Sequence, residues 1–442
     1  MKKIFCAFVC IFILINCKIA FAYDKAEIAN EIQNFQQEIK ADSSDMDKVL
    51  NDAFDYDPRV AIYYKGYSGK YNSFSSKINI VYSNTDVNIN DVYVAYNKDE
   101  FKTLLIKSLL YSNDRLCVVI KNIPTSTDIS QYINEIRNSC PIAVMGYKGY
   151  ESSTLDTKVG DYSYFVIKFT YDFDKDTLNS MKKTLEQRAC EIVASNIAKD
   201  MPPYMKVYLI HNYIINHCSY AENYESNNDL TVYTAYGALV NGKAVCDGYA
   251  NAAQVLFNLC NIENIKISGK SKGEGHAWNL IKLDNEYYHI DLTWDDPVGP
   301  AGLNFLEYDY YNLTDSQIEA DHTWDKSAYP KAEGSVYNYK KTTELIRNDK
   351  TNYNQGYSSF KSVFSQYPPL TSSENPNKIV ETTEVESDNY IEPVSVLDNV
   401  NGLKFKLNKD IGYIVYWLYD NVYKVLIALV LFLIVINIFR RR

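Results

Sequence analysis

Three residues within 231–297 have the types and order that thiol chemistry needs. Cys246 falls at the start of a predicted helix, His276 at the start of a strand and Asp291 at the end of the next strand. A thiol attacks an acyl carbon only as the thiolate, and an unperturbed cysteine has a pKa of ~8.5. A helix N-terminus and a neighbouring imidazolium both favour the anion. The set reads as a nucleophile, a base and a group that orients the base. Acyl transfer also needs donors for an oxyanion. The Cys246 backbone N–H is one, and Tyr236, or Tyr233 beside it, is the candidate for a second. In a chain with 40 tyrosines the plainer reading of either is packing.

The flanking pattern says what must hold these residues. Asn241-Gly242 marks a turn. Beyond it Ala250, Ala253, Leu256 or Phe257, and Cys260 recur at helical spacing, so Cys246 lies in or just before a first helical turn. Gly248, Ala250, Ala252 and Ala253 are small enough for other backbone to come close. Placement alone leaves Cys246 equally readable as a small buried residue, like Cys260. The strands EGHAWNLIKL and EYYHIDLTW meet at Asp284-Asn285, a good turn pair. A two-residue turn pairs Leu283 with Glu286, Trp278 with Asp291 and His276 with Thr293. His276 and Asp291 then share a face as diagonal neighbours, about 7–8 Å apart at the backbone. An odd-length turn would place them on opposite faces. His289 shares that face by parity but sits among tyrosines. His211 and His217, on one amphipathic helix, have a poor spacing for ligands and read as structural. His322 lies in a loop without an assigned role.

The stretches TAYGALVNGKAVCDGYANAAQVLFNLCNIEN, GHAWNLIKLDNEYYHIDLTWDDP and, upstream, YLIHNYIINHCSY resemble the transglutaminase-like superfamily, within the papain-like cysteine hydrolase fold. The resemblance covers about residues 200 to 325. It implies a nucleophile helix packed on an antiparallel sheet, with Cys246 as nucleophile, His276 as base and acid and Asp291 as orienter. It also implies structural roles for Asn279 and Trp294. The superfamily includes protein cross-linkers, peptidases, amidases and inactive relatives. No tryptophan before Cys246 matches the one that transglutaminases place on the oxyanion, which favours hydrolysis over cross-linking. A non-catalytic surface module on the same fold is the rival from another class.

The rest of the chain bounds these readings. Its 442 residues carry a formal net charge of −10 and no basic stripe, which argues against a nucleic-acid partner. A protein or peptide substrate and a cell-wall component are the expected partners. No C-x-x-C or H-E-x-x-H occurs, and the chemistry calls for no metal or organic cofactor. Residues 1–22, with Lys2 and Lys3, an apolar run and Ala20-Phe21-Ala22, read as a signal peptide. Residues 422–439 read as a transmembrane helix closed by the basic tail 440–442, which places an ectodomain outside and the C-terminus in the cytoplasm. Between these lie a separate N-terminal α+β domain (23–174), the catalytic domain (175–330) and a Tyr-rich, then acidic, stalk (331–421). The fold class is α+β. Six cysteines remain beyond the signal, and if Cys246 is free the five others cannot all pair.

Overall fold

The computed structural model describes residues 23–372, apart from 42–44, 72–75, 122–123, 125, 157–161, 223–227, 298–306, 354–359 and 361. The predicted signal, membrane span, basic tail and acidic part of the stalk lie outside the described residues. Among the described residues no helix is long and apolar enough to cross a membrane.

The chain begins with α1 (Lys25–Gln33), β1 (Glu38–Ala41), α2 (Met46–Tyr56), β2 (Tyr64–Tyr71) and β3 (Ser76–Tyr82), the strands pairing in the order β1-β3-β2. Next come β4 (Val92–Ala95), α3 (Lys98–Leu110), β5 (Arg115–Lys121), α4 (Ile129–Ser139), β6 (Tyr147–Asp156) and β7 (Tyr162–Tyr171), a sheet of order β4-β5-β7-β6. The β5 sequence RLCVVIK is apolar without alternation because both its faces are covered. Cys117 and Val119 join a core with Phe54 and Ile62. Leu116, Val118 and Ile120 face Phe101, Leu105 and Ile133.

The site-bearing part follows: α5 (Lys175–Asn196), α6 (Pro203–His217), β8 (Ser219–Tyr220), β9 (Lys243–Ala244), α7 (Cys246–Leu259), β10 (Asn264–Ser271), β11 (Glu274–Leu283), β12 (Glu286–Ile290), α8 (Asp315–Ile318) and β13 (His322–Thr323). Four strands make an antiparallel sheet of order β12-β11-β10-β13. Helix α7 packs on β10 and β11, and it also meets α5 and α6. This is the predicted α+β arrangement of a helix on an antiparallel sheet. The N-terminal region keeps its own two sheets, yet one core runs from Leu116 and Ile133 through Leu185, Ile214 and Phe257 to Ile281. Asn138, at the end of α4, accepts from Gln254 and Asn258 of α7. The two regions therefore share buried surface across the predicted 174/175 boundary.

The predicted stalk needs correcting over 331–372. Helices α9 (Tyr339–Asn348) and α10 (Val363–Gln366) belong to the folded unit. Tyr337, Tyr339, Phe364 and Tyr367 pack against its core, and the Tyr339 ring stacks on Tyr308 at 3.9 Å. Glu186 of α5 accepts from the Ser362 hydroxyl and the Val363 N–H. A polar, Tyr-rich composition suggests a stalk, whereas tyrosine rings carry large apolar area that folding buries.

Candidate active site

Val245 is extended and hands the chain into α7, its N–H held by the Val232 carbonyl at 3.0 Å. No side chain caps α7. Helices α1 to α5 each begin at an Asp or Asn whose side chain accepts a first-turn N–H. The first N–H groups of α7 are thus uncapped where Cys246 stands, half-buried, at the positive end of the helix. Gly248 is required one turn in. A Cβ there would lie 2.4 Å from the Val232 carbonyl oxygen and 2.7 Å from Ala244 Cβ. Asp247 faces Lys266 of β10, with Nζ 2.9 Å from Oδ1. A cleft of about 180 Å³ opens beside it, lined by Asp247, Lys266 and Tyr233 and by Arg137 and Tyr147 of the N-terminal region.

Asp284 and Asn285 both take positive φ, 48° and 68°, as a two-residue hairpin turn demands. Leu283 pairs with Glu286, and the register runs on to Asn279 and Ile290. One pair further in this register Trp278 stands opposite Asp291, and His276, two residues from Trp278, shares its face. His276 Nε2 lies 2.6 Å from Asp291 Oδ2. The Cys246 thiol lies close enough to this ring to favour its charged form. With Nε2 taken by the carboxylate, Nδ1 is the nitrogen left for sulfur. Burial would push His276 down, but the hydrogen bond with Asp291 and the neighbouring Cys246 thiol overcome it and lift the imidazole to about 10. Asp291 is fully buried. Burial alone would raise it, yet the hydrogen bonds of His276 and His322 hold it below the usual carboxylate range. Its Oδ1 accepts the backbone N–H groups of Thr293 at 3.0 Å and Trp294 at 3.3 Å.

The structure therefore brings Cys246, His276 and Asp291 together. Tyr236 sits half-buried ahead of a single π-helical turn, with its ring against the core. Tyr233 is exposed. Asn279 ties β11 to the nucleophile helix by donating to the Ala250 carbonyl at 3.1 Å. Trp294 lies beside the His276 ring at 6.3 Å, with the Lys272 ammonium 3.9 Å from its own centroid.

The remaining histidines are placed by their partners. Trp278 Nε1 donates to His289 Nδ1 at 3.0 Å, so His289 carries its proton on Nε2, which meets Asp315 at 2.9 Å. His211 is buried against Asp295 at 2.9 Å. Burial raises Asp295 and Asp296 to about 6, and Asp296 accepts from Tyr249. His217 stacks on Tyr213 at 4.1 Å.

His322 is the residue sequence reasoning missed. It is fully buried, and its Nε2 lies 3.0 Å from the same Oδ2 of Asp291. No local spacing signals this, because β13 joins the far edge of the sheet. Among the described residues, His276, Asp291 and His322 present ligand atoms within 4.8 Å of one another, close enough to hold a cation. The 2.6 Å and 3.0 Å separations are also those of shared protons.

All six described cysteines are free thiols. Burial pushes Cys140 up to about 11, and Cys190 and Cys218 to about 12. Those thiols are poor nucleophiles at neutral pH.

A helix bearing a cysteine at its uncapped end thus lies on an antiparallel sheet beside a histidine–aspartate pair. Residues 191–292 match the family model described as the transglutaminase-like superfamily, so the chain carries a transglutaminase-like domain. It is 23% identical to the kyphoscoliosis peptidase of Mus musculus over 157 residues, 32% of this chain and 24% of that protein. The Homo sapiens kyphoscoliosis peptidase is 24% identical over the same shares. The chain thus spans about a quarter of the length of these curated relatives. A solved structure described as a TGase aligns at 16% identity and a TM-score of 0.23, covering 49% of this chain and 61% of that one.

Proposed function

We propose that this protein is a cysteine acyl-transfer enzyme acting on amide bonds of proteins or peptides, with hydrolysis as its main outcome. One observation carries the proposal: the His276 imidazole, held by the buried Asp291 carboxylate at 2.6 Å, has the Cys246 thiol beside it. Cys246 passes its proton to His276, and the sulfur attacks the amide carbonyl. A C–S bond forms and the carbonyl π pair moves to oxygen. The Cys246 N–H, on an uncapped helix end, is the proposed first donor to that oxyanion. Tyr236 is the proposed second donor. Collapse breaks the C–N bond, and His276 gives its proton to the leaving amine. Water then attacks the thioester, His276 takes the water's proton, and the carboxylic acid leaves as the thiolate returns. A lysine amine in place of water would give a cross-link. The predicted signal and C-terminal span place this chemistry in an anchored ectodomain at the cell surface.

The test incubates the full-length protein with a fluorescent primary amine and a glutamine-rich protein. New chain termini, or glutamine converted to glutamate without amine incorporation, absent in Cys246→Ala, support hydrolysis. Covalent incorporation of the amine supports transfer. If wild type and Cys246→Ala behave alike in every channel, the enzyme reading fails and a binding module remains.

A further inference from the structure

His322 is set apart from the other buried histidines by what it touches. It lies on β13, paired with Ser271 at the edge of the sheet, yet its side chain reaches the carboxylate beyond the far strand. Gly269 lies in this crossing. A Cβ there would meet the Thr323 carbonyl oxygen at 2.3 Å and the Trp278 ring at 2.7 Å. The His322 ring lies 5.3 Å from that of His276 and is walled by Trp278 at 5.0 Å, Tyr310 at 5.5 Å and Trp294 at 6.1 Å. Its Nδ1 lies 2.6 Å from Asp321 Oδ1, and Asp321 also accepts from the Tyr310 hydroxyl. Nε2 meets Asp291 Oδ2 at 3.0 Å, the oxygen that His276 uses.

We propose that His322 is a positioning residue for the acyl-transfer reaction: the Nε2–H that it donates to Asp291 fixes the carboxylate that orients His276. The inference rests on reading Cys246, His276 and Asp291 as the catalytic set. The Thr293 and Trp294 N–H groups hold Oδ1 and His276 holds Oδ2 from one side, which leaves Oδ2 some freedom to shift. A donor on the far side of Oδ2 closes that freedom. It also offsets part of the cost of a fully buried negative charge. His322 itself is sealed from solvent and does not reach substrate; it acts through Asp291. Asp321, anchored by Tyr310, holds the other edge of the ring and so aims Nε2. The relay runs Asp321–His322–Asp291–His276–Cys246, with His322 and Asp291 sealed from solvent and the other three members partly open to it.

Two substitutions separate the two contacts of the ring. In His322→Gln the amide nitrogen falls near the position of Nε2 and can still donate to Asp291. In His322→Asn the amide falls near Nδ1, keeps Asp321 and withdraws from Asp291. Iodoacetamide labelling of Cys246 in the full-length protein, read by peptide mass spectrometry, reports the outcome, with His276→Ala as control. The expected result is slow labelling in His276→Ala, labelling about tenfold slower in His322→Asn than in wild type, and recovery to within about threefold in His322→Gln. Equal rates in wild type and His322→Asn, with His276→Ala slow, overturn this proposal alone. Equal slowing in the Asn and Gln variants overturns it too, since packing would then explain both. If His276→Ala labels as fast as wild type, the catalytic set itself fails first. Should His322→Asn not fold, histidine ¹⁵N resonances of the wild-type chain decide. A proton on Nε2 of His322 that shifts in Asp291→Asn supports the proposal, and a bare Nε2 overturns it.

Discussion

Two buried aspartates, one in each half of the described chain, are satisfied in different ways. Asp57, in the N-terminal region, meets Arg59 through two 2.8 Å contacts, Nε to Oδ1 and Nη2 to Oδ2, and also caps the turn Pro58–Tyr63. Partner and carboxylate stand two residues apart in one turn. Asp291 instead draws His276 from fifteen residues upstream and His322 from thirty-one downstream, and the first of these has a half-buried thiol beside it. The local pair completes a fold. On the proposed reading the long-range set orients a reactive group, the setting in which titratable side chains are perturbed toward use. Helix ends differ too: α1 to α5 are closed by side-chain caps, α6 and α7 are not, and α7 carries Cys246 at its open end.

The contrast can be attacked most strongly at Asp291. Asp291→Asn keeps the shape but loses the charge and the tautomer control. Turnover, by whichever channel the amine assay reveals, should fall on the order of 10³- to 10⁴-fold. A fall below tenfold would put Asp291 in the same structural role as Asp57. The reverse experiment is Asp57→Ala. Removing one member of a buried pair should cost about 3–5 kcal/mol in chemical denaturation, while the labelling rate of Cys246 in the folded protein stays at the wild-type value. A matching loss of labelling would mean that the halves are not separable in this way.

A pH series sharpens the comparison further. A histidine raised in the fold stabilises fully below its unfolded pKa and loses that contribution as pH climbs through its folded one. For His276 the window runs from 6.5 to about 10. Thermal midpoints should therefore decline from pH 6.5 upward, and His276→Ala should flatten that limb. An unchanged limb in the variant would assign the decline elsewhere. The smallest effect concerns Asp247, whose pair with Lys266 is partly exposed. Asp247→Asn should change stability by less than about 1 kcal/mol. It should also quicken Cys246 labelling modestly, because a negative charge beside the thiolate is gone. Slower labelling would show that the Lys266 pair supports the site.

What could be read from the sequence follows the same division between local and distant. The Asp284-Asn285 turn fixes a register, and the register alone sets His276 and Asp291 on one face. The small residues after Cys246 foretold the close backbone at Gly248. His322 was not legible: its position depends on β13 joining β10 rather than on any spacing near it. Nor was the packing of 331–372, because a polar stretch rich in tyrosine reads alike whether its rings meet solvent or the Tyr208 and Tyr308 rings that receive Tyr339. The shared core across 174/175 depends on which face of α5 and α7 meets α4, which periodicity does not specify.

Activation of Cys246 by His276 is the step on which the proposed chemistry depends. Iodoacetamide labelling of Cys246 near neutral pH, in wild type and in His276→Ala, measures this directly. Rapid labelling of Cys246 over Cys140, Cys190 and Cys218, lost when the imidazole is removed, is the predicted result. Slow labelling that is indifferent to His276 would contradict it.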